Sequence, residues 1–418
     1  MLGRRSMGAV NRFWLFCFCI MVLGCTAPRQ RPPSADTQTV PAQTHPTEPF
    51  FRAREHTTEY LGPGRDVPPP EDIAEVKIAY FGPDDPDHPV AGQMWQAVTL
   101  AVEEANAGGG YNGLPFRLKT SWSPDPWGSG IKGITRLVYD DNVWAVIGAP
   151  DGPSAHLVEQ VVTKARLAFI SPVATDKTTN LANVPWIFSC APSDDLLAPA
   201  LAQALISQTA GGSFALVSST DHDARVFTTE LLTALDKLGA FPGRHLQFNP
   251  DAADFDTQLR SIRHSFPDAL VLIAGPRDAA RFLVALRRGQ PVLPVFGGPA
   301  MGHRRFLETD GRFTDGVRFP LLWHPAIACE HSAMFARRFE ERFGIEPDYT
   351  AAHTYDAMNL LLDAIREAGL NRVRIRDVVR RLSPWTGVTG TITWDPTGRN
   401  RRPVHLGTVQ NGRVVPAG

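Results

Sequence analysis

Val76-Lys-Ile-Ala-Tyr-Phe81 and, thirteen positions on, Met94-Trp-Gln-Ala-Val-Thr-Leu-Ala-Val-Glu-Glu-Ala-Asn106 followed by Ala107-Gly-Gly-Gly110 read as one strand and one helix. The first run is short, apolar at every position but Lys77 and β-branched or aromatic at most, as expected of a largely buried strand. The second keeps a helical apolar period and meets three glycines, which stop a helix. Phe116 to Ser121 is strand-like again. A strand, a helix and a strand in this order form the unit of a parallel sheet.

The same alternation repeats along the chain. Gly130 to Tyr139 reads as helix, Trp144-Ala-Val-Ile-Gly148 as a buried strand, a helix begins at Ser154, and Leu167-Ala-Phe-Ile-Ser171 is the next strand. Phe214-Ala-Leu-Val-Ser218, the helix Thr228 to Leu238, Ala269-Leu-Val-Leu-Ile-Ala274 and the helix Asp278 to Arg288 continue it. The series is too long for one ordinary sheet, so two α/β lobes with parallel sheets are expected in this chain of 418 residues.

The N-terminus reads differently. Arg4, Arg5 and Arg12 precede the compact apolar run Phe13 to Leu23, a charge-then-apolar layout too short to span a bilayer permanently. Val22-Leu23-Gly24-Cys25 resembles the bacterial lipobox, which implies cleavage before Cys25 and acylation of its sulfur; an ordinary signal peptide with an incidental cysteine is the alternative. Residues 1–25 are thus expected to be a lipoprotein signal, and residues 26–72, rich in Pro and Thr, a flexible tether. A net charge of −1 argues against nucleic acid as partner. Of 5 cysteines only Cys190 and Cys329 fall in the folded part, and in an oxidising compartment they could form a disulfide.

Ala101-Val-Glu-Glu-Ala-Asn-Ala-Gly-Gly-Gly110 with Gly113 resembles a run of the type I periplasmic binding proteins, in the leucine/isoleucine/valine-binding branch. Further matching stretches follow in order: Val143 to Gly148, Ile170-Ser-Pro-Val-Ala-Thr175, Ala191-Pro-Ser-Asp194, Phe343-Gly344, Tyr355-Asp356-Ala357 and Gly387-Val-Thr-Gly390 with Trp394-Asp395. The resemblance implies two Rossmann-like lobes joined by a three-segment hinge, with ligand held between them. Lobe one would be residues 73–191 plus 323–384, and lobe two residues 192–322 plus 385–418.

The resemblance also implies where ligand is gripped. Thr175 matches a ligand-binding Thr, Val173 and Ala174 belong to the loop that contributes backbone, and the position of a ligand-binding Ser falls on Gly152. Ser154 is expected to cap the following helix rather than touch ligand. Trp95 either walls the cleft or fills the core. In lobe two the aromatic and acidic half of an amino-acid clamp is missing, since its positions fall on Ala224, Arg225, Ala274 and Ala300. Arg225 and Arg277 lie in loops that face the cleft in relatives; turned inward they would favour an anionic or neutral ligand, turned outward they would be solvated. Asp151 or Asp221 could replace the missing carboxylate from another place, which keeps an amino acid open. A buried ammonium with no partner costs several kcal/mol.

Other constellations carry less. His324, Cys329, Glu330 and His331 fit no recurring zinc spacing, so no metal is expected, and no cofactor. No Gly-x-Ser-x-Gly elbow is present, and the reading is non-enzymatic. Arg372 to Arg381 reads as a solvated amphipathic helix. The expected function is a lipid-anchored solute-binding protein of the periplasm or cell envelope, the outer membrane slightly favoured because Thr26 and not Asp follows Cys25. It would close on a small polar ligand of amino-acid, carboxylate or amide type and deliver it to an ABC-type permease. The alternative is a sensing or protein-interaction lipoprotein that uses the same two lobes without transport.

Overall fold

The computed structural model describes residues 59–181, 184–288 and 293–417. The expected signal, Cys25 and the first part of the expected tether lie outside the described residues. The first sheet has the order β2-β1-β3-β4-β5, built from β1 (Val76–Phe81), β2 (Phe116–Ser121), β3 (Val146–Gly148), β4 (Phe169–Ser171) and β5 (Ile187–Ser189). Every pairing in it is parallel, with Ile78 opposite Leu118, Ala79 opposite Val146 and Ser171 opposite Ser189. Alternation along β1 explains why it is apolar on both faces. Ile78 and Tyr80 enter one core with α1 (Gly92–Ala107), while Ala79 and Phe81 enter another with α2 (Ile131–Tyr139) and α3 (Gly152–Ala165).

The Asn-Ala-Gly-Gly-Gly turn after α1 has a mechanical reason. Asn106 donates Nδ2 to the Phe116 carbonyl at 3.0 Å and accepts the Phe116 N–H at 2.7 Å, which pins the start of β2. Between them Gly110 sits at φ +65°, where a Cβ would meet the Leu114 carbonyl oxygen at 2.1 Å.

The second lobe contains α4 (Asp194–Thr209), β6 (Phe214–Ser219), α5 (His222–Lys237), β7 (Arg244–Phe248), α6 (Asp256–Ser265), β8 (Ala269–Ile273), α7 (Pro276–Arg287), β9 (Val295–Gly297) and β10 (Arg318–Leu321). Its seven-stranded sheet runs β14-β13-β10-β9-β8-β6-β7, where β13 (His405–Gln410) and β14 (Arg413–Pro416) come from the end of the chain. The five strands β6 to β10 are parallel, but β13 and β14 pair antiparallel, so the sheet is not wholly parallel as the sequence suggested. A hairpin turns β14 back on β13 within two residues, and only antiparallel strands can be joined so tightly.

Between the sheets the chain runs through α8 (Glu330–Phe343), α9 (Tyr349–Ala368), α10 (Arg372–Arg381) and the hairpin β11 (Trp385–Gly387) with β12 (Gly390–Ile392). The sequence reading gave residues 385–418 to lobe two. Val388, Ile392 and Trp394 instead fill the core of the first sheet beside Phe188 and Tyr355, and Asp356 accepts the N–H groups of Val388 and Thr389 at 2.7 Å each. The chain passes between sheets after β5, after β10 and after Trp394. Asn400 Nδ2 donates to the Cys190 carbonyl at 2.6 Å, and Arg402 donates to the carbonyls of Thr389 at 2.7 Å and Leu322, which ties these passages together.

Three further expectations change. The tether is not loose up to residue 72. Tyr60 is 3% exposed, its ring 4.7 Å from that of Trp186, and Arg65 Nε lies 2.7 Å from Asp377 Oδ2. Asn371 Nδ2 faces the carbonyls of Gly64, Arg65 and Val67 at 2.8, 3.3 and 2.9 Å. An aromatic anchor and a donor for the strap's carbonyls fix the segment on α10. That helix is correspondingly less solvated than expected, with Arg376 only 2% exposed. Cys190 and Cys329 are both free thiols; Cys190 is buried, and Cys329 Sγ rests 3.2 Å from the Gly387 carbonyl.

Candidate ligand-binding site

The site begins where β3 and β6 end and two helices begin. At the end of β3, Gly148 sits at φ +132°, and a Cβ there would meet the Phe81 carbonyl oxygen at 2.4 Å, so only glycine fits. Asp151 then caps α3, its Oδ1 accepting the Ser154 N–H at 2.8 Å. In the other lobe Asp221 caps α5 in the same way, accepting the Ala224 N–H at 2.9 Å. Both helix N-termini therefore carry a carboxylate and face the space between the lobes.

The contact between them is direct. Asp223, in the first turn of α5, receives the Gly152 N–H at 3.1 Å on Oδ1 and 3.4 Å on Oδ2. A Cβ at Gly152 would lie 2.5 Å from Asp223 Oδ1, 3.1 Å from His222 Cδ2 and 3.2 Å from Asp176 Oδ2. The space that a serine side chain would need is filled from the second lobe. Asp223 is open to the cleft on one side and crowded by both lobes on the others. Crowding by both lobes, with the charges of Asp151, Asp221 and Asp176, raises its carboxyl above the usual carboxylate range although the residue keeps an exposed face.

A cavity of about 250 Å³ opens beside this contact. Its first-lobe wall includes Asp151, Val173, Ala174 and Thr175, its second-lobe wall Asp221, Asp223, Ile273 and Ala274, and His303 and Tyr349 close one side. No Lys or Arg lines it among the described residues. Two of the larger spaces, about 570 and 1020 Å³, are open grooves that none of Asp151, Thr175 and Asp221 lines.

Of the residues picked from the sequence, Asp151, Val173, Ala174, Thr175 and Asp221 thus come together around one cavity. Gly152 is not in the cavity wall and gives its N–H to Asp223. Ser154 is buried with an unpartnered Oγ and is the recipient of the cap, not the cap itself; Asp151 precedes the helix and takes that role. Trp95 packs on the first core, 5.7 Å from the Tyr80 ring, and does not line the cavity. Arg225 is exposed, and Arg277, 76% exposed, lies 3.5 Å from Asp251 in one of the open grooves. Both arginines are turned away from the cavity.

A second group beside it has no signature in the sequence. Asp176, 4% exposed, accepts the Thr178 N–H at 2.7 Å and hydroxyl at 2.6 Å on Oδ1. Its Oδ2 faces His156 Nε2 at 3.0 Å and His222 Nε2 at 2.8 Å. Hydrogen bonding to Asp176 and Glu159 raises His156 to about 9. Burial alone would raise Asp176, but the bonds from His156, Thr178 and His222 outweigh it and hold that carboxyl well below its usual range. Asp194, at the start of α4, is buried with Oδ1 unpartnered, and burial with the nearby charge of Asp223, Asp176 and Glu230 holds its carboxyl well above the ordinary range.

Residues 75–413 match a family model described as periplasmic binding protein. An amino acid binding protein of Pseudomonas aeruginosa is 23% identical over 343 residues, covering 78% of this chain and 87% of its own. Among solved structures, the branched-chain amino acid transporter substrate binding protein LivJ of Streptococcus pneumoniae, in complex with isoleucine, superposes with a TM-score of 0.74 at 19% identity, over 82% of this chain and 100% of its own. A solute binding protein of an ABC transporter from R. palustris, in complex with benzoate, gives 0.73 at 16% identity, over 82% and 96%. The two structural neighbours were solved with ligands of different charge, so the cavity walls have to say which kind fits here.

Proposed function

The chain belongs to the periplasmic binding protein family, and from that premise we propose that it is an extracytoplasmic solute-binding protein whose lobes close on a small ligand bearing an ammonium group, of amino-acid type. The observation that carries this reading is the cavity between two carboxylate-capped helices, with no cationic side chain in its wall. Asp151 and Asp221 each use Oδ1 in a helix cap, and Oδ2 of each has no protein partner among the described residues. Two carboxylate oxygens left over at the rim of a small cavity suit a cation. They replace, from other positions, the clamp carboxylate that the sequence lacks at Ala300. With Arg225 and Arg277 directed outward, an anionic ligand would have no charged partner and would meet three carboxyl groups instead.

Closure would be a hinge motion of lobe one, residues 73–191 with 323 to about 394, against lobe two, residues 192–322 with 405–416, a division that keeps the β11–β12 hairpin with lobe one. Lipid attachment at Cys25 and delivery to an ABC-type permease complete the proposal. Binding is tested by thermal shift on the full chain with amino acids and with the matching acids that lack the ammonium. Ligand at 100 times its Kd adds about 2.7 kcal/mol of stability. A shift with amino acids and none with the deaminated acids is expected, and the reverse order would overturn the ammonium reading. Cys25→Ser should move the protein from membrane to soluble fractions, and persistent membrane association would remove the lipid anchor.

A further inference from the structure

We propose that His156, Asp176 and His222 form a divalent transition-metal site, zinc being the best fit, that bridges the two lobes. The three side chains come from distant points of the chain, α3, the loop after β4, and the first turn of α5. Their ligand atoms all lie within 4.8 Å of one another. Zinc bonds of about 2.0–2.2 Å place neighbouring tetrahedral ligands roughly 3.3–3.6 Å apart. The imidazole nitrogens now stand 3.0 and 2.8 Å from Asp176 Oδ2, so an ion fits after sub-ångström displacements of side chains that are 23% and 33% exposed on the two histidines.

The surroundings are arranged as they are around bound metal. Asp176 has Oδ1 fixed by the Thr178 N–H and hydroxyl, which leaves one oxygen, Oδ2, as a monodentate ligand aimed at both imidazoles. Glu159 Oε2 lies 3.3 Å from His156 Nδ1, the outer carboxylate partner that puts the ring proton on Nδ1 and leaves Nε2 bare for metal. Thr178 Oγ1, 2.8 Å from His156 Nε2, is a neutral hydroxyl that can turn away or bond a metal-held water. Two imidazoles and one carboxylate suit zinc or its transition-metal neighbours; magnesium and calcium call for more oxygen ligands. The fourth position opens to solvent between the exposed faces of the two rings.

The site also accounts for Gly152. A side chain there would press on His222 and Asp176 as well as on Asp223, so the glycine clears the approach of the second lobe to the cluster. A metal held by two residues of the first lobe and one of the second ties their separation to metal occupancy. It is chemically distinct from the ammonium-binding cavity, and no residue of the trio lines that cavity.

The test uses the full chain, stripped with a chelator, dialysed and titrated with zinc chloride by calorimetry and by competition with a chromophoric chelator. One equivalent per chain is expected, with no heat from magnesium. His156→Ala and His222→Ala should each weaken zinc at least tenfold, while His331→Ala, remote from the trio, should leave it unchanged. Cobalt(II) added to the unsubstituted chain answers the question without any variant. The intense visible absorption of a four-coordinate ion is expected, and the pale spectrum of six-coordinate cobalt would overturn the site. So would absence of a stoichiometric zinc equivalent, or variants that bind zinc as tightly as the parent. None of these readouts involves an amino acid, so the ammonium reading stands or falls separately.

Discussion

Asp223 of the second lobe accepts the N–H of Gly152 of the first at 3.1 Å, so the helix N-terminus that would grip a ligand's anionic end is met by a side chain of the protein itself. Gly152 has the backbone of an ordinary first helical residue, and alanine there would be favoured by helix propensity alone. What opposes it is the 2.5 Å approach of Asp223 Oδ1. Gly152→Ala is therefore expected to destabilise by about 1–3 kcal/mol, the usual cost of overpacking. Asp223→Ala should relieve part of that cost, giving a coupling of at least about 0.5 kcal/mol in a double-mutant cycle by urea denaturation. Strictly additive effects would mean that the two lobes do not meet at this point in solution.

Asparagine caps helices about as well as aspartate, so Asp221→Asn removes a charge from the cavity while keeping α5 capped. A bound amino acid should lose at least tenfold in affinity, in the range of a lost hydrogen bond to a charged group. Arg225→Ala and Arg277→Ala should leave that affinity within twofold, because neither side chain lines the cavity. Isothermal titration of the three variants separates the cases; a large loss in an arginine variant would show that the side chain turns inward when ligand binds.

Strands buried on both faces were readable from the sequence as apolar runs, Ala269–Ile273 most plainly, and Val76–Phe81 and the half-exposed edge strand Phe116–Ser121 match to the residue. Helix starts were not. α5 begins at His222, six residues before the expected Thr228, because its first turn is polar and announces itself only through the Asp221 cap. Rotation decided the arginines. Arg225 follows Asp223 by two residues, about 200° around the helix, so it points away from the cleft when Asp223 points into it. The trio His156, Asp176 and His222 has no sequence spacing to recognise, since it exists only once two lobes are docked. Tyr60 lay in a segment whose composition spoke for disorder, and a single aromatic anchor is too sparse a signal to outweigh it.

That anchor is testable through its polar partner. Asn371 caps α10 with Oδ1, which accepts the Arg374 N–H at 2.9 Å, and holds the strap with Nδ2. Asn371→Asp keeps the cap and sets a carboxylate against the carbonyls of Gly64 and Val67. The strap should detach, and trypsin should cut after Arg65 markedly faster than in the parent, with about 1–3 kcal/mol lost for the unpaired groups. An unchanged cleavage rate would show that Tyr60 and the Arg65–Asp377 pair hold the strap without Asn371.

Asp194 supplies the pH prediction. Burial and the carboxylates around it raise its folded-state value above that of the unfolded chain, so the folded state binds this proton more tightly. Stability then falls as pH rises from about 4, where the unfolded carboxyl ionises, up to the raised folded value. Asp194→Asn keeps the volume and abolishes the titration. It should raise the midpoint of thermal unfolding at pH 8 relative to the parent, and the gain should shrink towards pH 4, where the unfolded chain's carboxyl also takes up its proton. Melting curves of both chains between pH 4 and 8 measure this difference directly. A variant that gains nothing at pH 8, or loses stability equally at every pH, would show that Asp194 is stabilised as a carboxylate by the N-terminus of α4 and is not the strained acid described here.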